Sequence, residues 1–460
     1  MRRWQLVAYA LLLTHFLTFA QEKQSFLNKT LDSLITADLP SVAPGGIVLV
    51  AQKGNVVYKK SFGTANLSTK TPVNVDMIFR IGSITKQFTA IAILQLEEQG
   101  KLSLQDSIQV HVKDFPSKGM PITIANLLSH TSGIINYFEI KNPHPAKIRK
   151  VYTPAQGVDL FKDEPLKFKP GTQFEYSNSN YYLLGYIIEL VTGATYETHI
   201  QQHILDQADL KHTYFVKPAN KIVNVSPGYS NFGKKWEKAE LQRGDVTYAA
   251  GMLMSTADDL FKWHQTLQQN KLIKAETFKR ATTPFTFPDG SLSTYGYGWF
   301  VKNIDGSRTI EHGGSTDGYN TDEIYLPEEG IFVATLFNGY KTDMKWTILS
   351  NDIARVAAGK PLRTDIKVGE DKLKSYTGLY SYNTEYGMIV TYKDNRLFIK
   401  ATNPKSRLPL VAMHPENENK FYIKEAPLKF EFVFDEPSKQ FKLQCLTPQG
   451  KIEEYRKSIN

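Results

Sequence analysis

A serine and a lysine three residues apart open a long apolar segment of this chain. The stretch Phe79-Arg80-Ile81-Gly82-Ser83-Ile84-Thr85-Lys86 runs into mostly apolar residues, and no Gly or Pro follows Ser83 until Gly100. A segment of that length predicts a helix rather than a strand. Because residues i and i+3 share a helix face, we expect Ser83 and Lys86 to lie side by side in the first turn.

Burial would change what this lysine can do. Apolar residues occupy nearly every side of the predicted helix, so Lys86 is expected to be desolvated. Desolvation and the positive end of the helix dipole both lower the pKa of an ammonium group. A lysine with a lowered pKa can take the proton of a neighbouring serine and make it a nucleophile. The alternative interpretation of S-x-x-K is a capping serine followed by a solvated lysine.

Two further motifs bear on that choice. Tyr176-Ser177-Asn178 precedes a second apolar run, and Ser and Asn mark helix starts, so Tyr176 and Asn178 are expected on the loop entering that helix. His312-Gly313-Gly314-Ser315 follows a short β-type run, and its glycines allow a close approach of the backbone to a ligand. Taken singly, the motifs would indicate a capping loop and a turn beside a surface histidine.

In this order, the three motifs resemble those of the serine penicillin-recognising hydrolases, a group of class C β-lactamases, D-alanyl-D-alanine carboxypeptidases, D-aminopeptidases and family VIII esterases. The family pattern of S-x-x-K, Y-x-N and K/H-T/G-G matches Ser83 to Lys86, Tyr176 to Asn178 and His312 to Gly314. The resemblance covers roughly residues 25 to 355. It also includes Leu127-Leu128-Ser129-His130-Thr131-Ser132-Gly133, in which we interpret His130 as a structural, hydrogen-bonded residue.

The resemblance implies a role for each matched residue. Ser83 attacks a carbonyl and forms an acyl-enzyme, while Lys86 and Tyr176 share the proton transfers, and the motifs leave open which of them takes the serine proton. The backbone N–H groups of Ser83 and Ser315 hold the oxyanion beside Gly313 and Gly314. Asn178 orients the substrate amide. No cofactor is expected.

The third motif departs from the pattern of typical class C β-lactamases, which have Lys-Thr where this chain has His312-Gly313. In those enzymes the lysine helps to hold a substrate carboxylate. Histidine is only partly charged near neutral pH, so we expect His312 to bind a carboxylate only when protonated. The departure points away from efficient β-lactamase action.

Four functions remain open at this stage. The leading prediction is hydrolysis of a D-amino-acid peptide, or a related amide or ester, in the cell envelope. A small-ester hydrolase comes second and a β-lactamase third. A penicillin-type binding or sensor module without turnover is the fourth, although intact Ser83, Lys86 and Tyr176 favour turnover. No metal is expected, because His199 and His203 have metal-ligand spacing but no third ligand and no glutamate at position 200.

The first 20 residues predict secretion. Residues 1–20 have a basic start, an apolar core and a small residue at Ala20, which is typical of a signal peptide cut after Ala20. A bacterial periplasmic protein is expected, with no membrane span after cleavage because no other apolar run is long enough. Cys445 is the single cysteine, which excludes an intrachain disulfide. The net charge of +9 comes from scattered basic residues, so no nucleic-acid partner is expected.

The order of apolar patterns predicts an α+β fold. Residues 46–62 alternate around Lys53-Gly54-Asn55 as a β-hairpin does, residues 83 to about 280 are mainly helical, and strands return over 295–340. Strands at both ends imply one antiparallel sheet closed by the two ends of the domain. The resemblance implies the same β-lactamase-like α/β sandwich, with an all-α subdomain and the active site in the cleft between them.

A second domain is predicted after a charged segment that contains Pro361. We divide the chain into a signal peptide (1–20), a hydrolase domain (21–358), a linker (359–373) and an all-β domain (374–460). About eight short strands in the last segment predict a small closed barrel. The stretch Tyr376-Thr377-Gly378-Leu379-Tyr380 resembles the opening of a lipocalin-like domain.

Overall fold

The chain divides at Lys360/Pro361 into two compact units. A computed structural model describes residues 24–37, 43–140, 152–216, 222–231, 235–240, 243–341, 346–362, 365–383, 386–403, 408–423, 428–446 and 452–458. The predicted signal peptide lies outside these residues. Within them, no helix is both long and apolar enough to cross a membrane.

The first unit contains the larger sheet and most of the helices. Its strands are β1 (Gly46–Gln52), β2 (Asn55–Phe62), β3 (Thr64–Asn66), β4 (Thr71–Pro72), β5 (Phe79–Arg80), β6 (Tyr214–Phe215), β7 (Tyr229–Asn231), β8 (Glu237–Lys238), β9 (Leu253–Ser255), β10 (Phe300–Ile304), β11 (Ser307–Thr316), β12 (Tyr319–Leu326), β13 (Ile331–Phe337) and β14 (Gly339–Lys341). Its helices are α1 (24–37), α2 (Thr85–Glu98), α3 (Ile108–His111), α4 (Ile124–Leu128), α5 (Pro154–Asp159), α6 (Asn178–Thr192), α7 (Tyr196–Ile200), α8 (Gly244–Thr247), α9 (Ala257–Gln268), α10 (Ala275–Ala281) and α11 (Trp346–Ala357).

The main sheet joins the two ends of the unit, as the sequence predicts. Its strand order is β10-β11-β12-β13-β1-β2, and β1 pairs antiparallel with β13 over Gly46↔Phe337 to Gln52↔Ile331. The predicted hairpin is confirmed as β1 and β2. The strands expected over 295–340 begin with Phe300–Ile304, and the helix Trp346–Ala357 follows them.

Both faces of this sheet are covered, which explains why β1 is apolar at successive positions. Ile47 and Leu49 belong to the core shared with α2, α6 and α9, whereas Val48 and Val50 pack with residues of α1 and α11. Successive side chains of a strand point to opposite faces, so a strand covered on both sides has no polar face. Helix α2 is buried along almost its whole length, including Lys86 at 0% exposure. The sheet and α6 thus hold α2 rigidly from several sides.

The second unit is a closed barrel, which confirms the eight predicted strands. They are β15 (Gly378–Ser381), β16 (Gly387–Lys393), β17 (Arg396–Ala401), β18 (Val411–Pro415), β19 (Lys420–Tyr422), β20 (Lys429–Asp435), β21 (Gln440–Leu446) and β22 (Ile452–Lys457). The short helix α12 (Glu370–Ser375) precedes them. The closed barrel fits the lipocalin-like domain that the sequence predicts.

Part of the predicted linker belongs to the barrel unit. The backbone N–H of Ile366 donates to the carbonyl oxygen of Pro415 at 3.1 Å, and the Asp365 carboxylate lies 2.9 Å from Nδ1 of His414. Leu373 is buried in the barrel core. The separable point in the chain is therefore Lys360/Pro361, and residues 365–373 are anchored by contacts that their polar composition does not indicate.

Candidate active site

Ser83 lies on a tight turn directly before α2. Residues Gly82–Ile84 form one turn of 3-10 helix, which brings the Ser83 side chain to the surface of the core, while Lys86 is buried in the first turn of α2. Nζ of Lys86 is 3.0 Å from Oγ of Ser83. The structure therefore places the two residues side by side, as their spacing predicts.

Lys86 has three hydrogen-bonding partners around Nζ. Besides Ser83, these are Oδ1 of Asn178 at 2.9 Å and the carbonyl oxygen of Ala250 at 2.8 Å. Burial lowers the pKa of Lys86 well below the usual value of a lysine. Carbonyl and amide oxygens only accept hydrogen bonds, so a neutral Lys86 directs its two N–H groups to Asn178 and Ala250. Its lone pair then faces the hydroxyl of Ser83.

Tyr176 lies on the other side of the serine. Its hydroxyl shares a hydrogen bond with Ser83, and burial raises the pKa of the phenol well above its usual value. The Tyr176 ring stacks on Phe300 with centroids 6.1 Å apart, and Nζ of Lys86 is 4.8 Å from the Tyr176 ring centroid. Burial therefore keeps Tyr176 protonated and able to donate a hydrogen bond.

The loop that carries Tyr176 is fixed by His130. The Nδ1 atom of His130 lies 3.2 Å from the backbone N of Ser177, which donates to it, and 3.1 Å from Nδ2 of Asn180. The His130 carbonyl accepts from the N–H of Glu175, and the imidazole packs 4.2 Å from the Tyr176 ring. Sequence reasoning interpreted His130 as structural and hydrogen-bonded. The structure adds that it contacts Tyr176 and Ser177 within the motif and Asn180 just after it.

A strained turn supplies the carbonyl group that contacts Lys86. Tyr248 has φ 39° and ψ −138°, a region that side-chain-bearing residues rarely adopt, and it begins the turn Tyr248–Ala250. Its hydroxyl donates to Oε1 of Glu189 at 2.7 Å. Strained residues persist where the surrounding structure holds them, often at functional sites. None of the three sequence motifs predicts this contact of Ala250 with Lys86.

Strand β11 brings the third motif against the serine turn. A Cβ atom on Gly314 would lie 1.9 Å from the carbonyl oxygen of Ile81 and 3.2 Å from the backbone N of Ser83, so this approach requires glycine. A Cβ atom on Gly82, which has φ +49°, would lie 3.1 Å from the backbone N of Ser315. The backbone of the serine turn and that of β11 at Gly314 and Ser315 therefore approach closely, and the predicted oxyanion hole of the Ser83 and Ser315 N–H groups would lie where they meet.

His312 is buried and neutral. Its Nδ1 lies 2.7 Å from the carbonyl oxygen of Gly313, and its Nε2 lies 2.9 Å from the hydroxyl of Tyr295. A carbonyl only accepts, so Nδ1 carries the proton and Nε2 accepts from Tyr295. Burial lowers the pKa of His312 to about 3, and the side chain is 2% exposed. Although its ring is 6.2 Å from that of Tyr176, the expected cationic contact with a carboxylate does not fit this environment.

Comparison with known proteins places the chain in a family. The beta-lactamase family model matches residues 31–358. The chain is 28% identical over 420 residues to penicillin-binding protein 4* of Bacillus subtilis, covering 85% of this chain and 90% of that protein. It is 26% identical over 320 residues to a D-aminopeptidase of Gluconobacter oxydans, covering 69% of this chain and 59% of that protein.

Two solved structures are similar at the level of the fold. The octameric penicillin-binding protein homologue from Pyrococcus abyssi is 26% identical with a TM-score of 0.64, covering 96% of this chain and 100% of that chain. A D-stereospecific amidohydrolase from Streptomyces is 26% identical with a TM-score of 0.58, covering 67% of this chain and 93% of that chain. The protein belongs to the beta-lactamase family of serine penicillin-recognising hydrolases, and its relatives include D-aminopeptidases and amidases.

Proposed function

We propose that the protein hydrolyses amide or ester bonds of D-amino-acid derivatives through an acyl-enzyme on Ser83. The observation that carries this proposal is the set of contacts around Nζ of Lys86, where two pure acceptors leave one direction facing the Ser83 hydroxyl. Two of the relatives described above act, by name, on D-stereoisomers.

Acylation begins with Lys86 as the base. Oγ of Ser83 attacks the substrate carbonyl carbon while its proton passes to the Nζ lone pair of Lys86. The carbonyl oxygen becomes an oxyanion beside the N–H groups of Ser83 and Ser315. The tetrahedral adduct then breaks its bond to the leaving amine or alcohol, which takes a proton from Tyr176, and the proton held by Lys86 returns to Tyr176.

Deacylation runs the same transfers with water. Water attacks the acyl carbon and gives its proton to the base, and the Oγ leaving group of Ser83 is protonated again as the acid product departs. Lys86 suits the base because burial lowers its pKa, and Tyr176 suits the acid because burial raises its pKa. The opposite pKa shifts of the two groups support these different roles.

The neutral His312 bears on the choice of substrate. Where a class C β-lactamase has a lysine for the substrate carboxylate, this site has an imidazole whose two nitrogens are engaged by Tyr295 and Gly313. An acyl group without a carboxylate at that position fits better than a β-lactam or a free C-terminal carboxylate. The same observation supports a small-ester hydrolase as the second candidate function.

The substrate test compares matched pairs. Purified protein is incubated with D- and L-alanine p-nitroanilide, p-nitrophenyl acetate and nitrocefin, and intact-mass spectrometry follows the acyl adduct. We expect turnover of the D-anilide above the L-anilide, measurable ester hydrolysis and slow nitrocefin cleavage, all absent in Ser83→Ala. A stable adduct without turnover on every substrate would instead indicate a sensor. Faster nitrocefin cleavage than ester cleavage would indicate a β-lactamase.

Secretion is a separate part of the proposal. We propose that the chain is cut after Ala20 and works in the bacterial periplasm, on the basis of the amino-terminal pattern of residues 1–20. Expression of the full chain in a bacterial host followed by fractionation tests this. We expect the mature protein in the periplasmic fraction with Gln21 as its first residue, and an uncut chain in the cytoplasm would contradict the proposal.

A further inference from the structure

A cavity lies in the first unit, away from the serine. It has a volume of about 240 Å³ and is bounded by the second half of α9, the β1–β2 turn and the ends of β12 and β13. Tyr325 of β12 lies on its wall and pairs with Ile310 of β11, two residues before His312. The cavity extends from Tyr325 to Lys53 and Gly54 in the β1–β2 turn. It therefore opens at the end of the sheet opposite to Gly314 and shares no residue with the site described above.

The central polar group of this cavity is His264. Its side chain is 8% exposed and lines the cavity, packed 4.7 Å from the ring of Phe332 and 4.2 Å from the ring of Tyr325. Neither ring nitrogen has a hydrogen-bond partner in the part of the chain that the structure describes. Burial lowers the pKa of His264 to about 3, so it is neutral with one donor and one acceptor. His264 is therefore available to a ligand that enters the cavity.

The other polar groups of the wall are also uncharged. The Tyr325 hydroxyl has no hydrogen-bond partner among the described residues, and the amides of Gln268 and Gln269 line the exposed side. Imidazole, phenol and carboxamide groups each donate and accept. Of the lining residues described, Lys53 is the one with a charge, and it is exposed at the rim. The lining offers no carboxylate for a cation and one flexible lysine for an anion.

These groups together define the chemistry of a ligand. Hydroxyl groups also donate and accept, so a polyhydroxy ring matches the wall group by group. The aromatic side chains of Phe261, Tyr325 and Phe332 supply an apolar floor suited to the C–H face of such a ring. Ligand pockets typically measure about 300–1,000 Å³, so a cavity of about 240 Å³ has room for one ring rather than an extended molecule.

We infer that this cavity is a binding site for one neutral sugar ring, with His264 and Tyr325 as its buried and rim hydrogen-bonding groups. The ring is either a free monosaccharide or the end unit of a glycan whose remaining units stay in solvent. The site is independent of the chemistry at Ser83, because none of the proposed catalytic residues lines it.

The test measures binding in the Ser83→Ala protein, so that turnover plays no part and failure of the proposed function leaves the result unaffected. Saturation-transfer NMR titrations use methyl β-glucoside, the methyl glycoside of N-acetylglucosamine, chitotetraose and, as the charged counterpart, methyl glucuronoside. We expect roughly millimolar affinity for at least one neutral glycoside, since small ligands gain limited binding energy per atom. Binding of chitotetraose as well would identify a glycan end, and binding of a monosaccharide alone a free sugar.

Two variants and one control connect the signal to this cavity. His264→Phe keeps the packed ring but removes both nitrogens, and Tyr325→Phe removes one hydroxyl from a partly exposed residue and so keeps the test available if the buried variant misfolds. Each should weaken binding at least about fivefold, the effect of losing one hydrogen bond. Gln202→Ala, at an exposed glutamine elsewhere, should change nothing. No saturable binding of any neutral sugar, equal binding by both variants, or tighter binding of the glucuronoside would overturn the inference.

Discussion

Lys86 in α2 and His312 in β11 are two buried bases close to the same serine, and they differ in one respect. Their side chains are 0% and 2% exposed, and burial lowers the pKa of both. His312 has both ring nitrogens engaged by Tyr295 and Gly313, whereas one of the three contacts of Lys86 is the hydroxyl of Ser83. Burial lowers the pKa of each base, but only Lys86 contacts a hydroxyl whose proton the reaction must move.

The largest expected effect follows from replacing Lys86. Lys86→Ala and Lys86→Arg should each lower kcat by about 10²–10⁴-fold, the usual contribution of a general base. Arginine is always protonated and does not release its proton, so it cannot act as the base. Because Lys86 must be neutral to act, the activity of the unmodified protein should rise as pH increases through the lowered pKa of Lys86.

The control for Lys86 is a lysine that is close to the site but already paired. Lys302 is within 2.6 Å of the Glu311 carboxylate and neighbours His312. The loss of kcat in Lys302→Ala should be at least about tenfold smaller than the loss in Lys86→Ala. If Lys86→Arg were as active as the unmodified protein, Lys86 would act through its charge. The proposed difference between Lys86 as a base and His312 as a structural residue would then be wrong.

Tyr176 should show the next largest effect. Tyr176→Phe removes the hydroxyl that contacts Ser83 and should lower kcat by about 10²-fold, since the leaving group loses its proton donor. The double variant with Lys86→Ala should be little worse than the worse single variant, because residues that act as a unit are not additive. Steady-state kinetics on an ester and an anilide measure both effects. If the fold losses of the two single variants multiply in the double variant, Lys86 and Tyr176 act independently.

Replacing His130 should have a smaller effect, because His130 acts by holding the loop that carries Tyr176. His130→Phe keeps an aromatic ring but removes the acceptor for Ser177 and Asn180, and we expect kcat to fall about 10- to 100-fold with little change in KM. His130→Asn should recover part of this loss, because its side-chain oxygen can replace Nδ1 and asparagine tolerates the observed φ of 56°.

A second variant separates the acceptor from the backbone conformation of His130. His130→Gly relieves the positive φ but supplies no acceptor, so it should resemble His130→Phe rather than His130→Asn. Thermal unfolding of all three variants shows how much of each loss is global. Equal activity of the Asn and Gly variants would indicate that only the backbone conformation at this position matters.

The difference between Lys86 and His312 also shows what a sequence can predict. Ser83 and Lys86 are three residues apart, Ser83 in the 3-10 turn and Lys86 in the first turn of α2 that follows it, and their spacing alone predicts the contact. The sheet closed by β1 and β13 follows from strand patterns at the two ends of the domain. These features depend on local periodicity and on the general need to cover apolar faces.

The missed features depend on residues far apart in the chain. The neutrality of His312 requires the Tyr295 hydroxyl and complete burial, and neither is encoded in His312-Gly313-Gly314. The contact of Ala250 with Lys86 spans 164 residues and depends on the strained Tyr248. Residues 365–373 have a linker-like composition, but Leu373 is buried in the barrel core. Tertiary packing decides each of these.

A pH profile tests the other half of the comparison. Since the pKa of His312 is about 3, the imidazole is neutral throughout the range from pH 5 to 8. The profiles of kcat/KM for an acidic and a neutral substrate of the same scissile bond should therefore have the same shape over that range. Parallel pH titrations with succinyl and butyryl p-nitrophenyl esters measure this. A decline with rising pH for the succinyl ester alone would mean that His312 binds a carboxylate as a cation.

The smallest expected effect follows from removing the barrel unit. All residues of the proposed mechanism lie before Lys360, and the separable point in the chain is Lys360/Pro361. A chain ending at Lys360 should still be labelled at Ser83 by a penicillin or phosphonate probe and should hydrolyse a small ester with kcat within about a factor of two, since distant independent sites contribute separately. A chain ending at Lys367 would carry part of the segment that packs on the barrel, and is the less suitable cut.

Circular dichroism and thermal unfolding check that the shortened protein is folded. A folded protein that is no longer labelled at Ser83 would show that the barrel helps to build the catalytic site. The residues around Ser83, Lys86 and His312 would then not be sufficient for the chemistry.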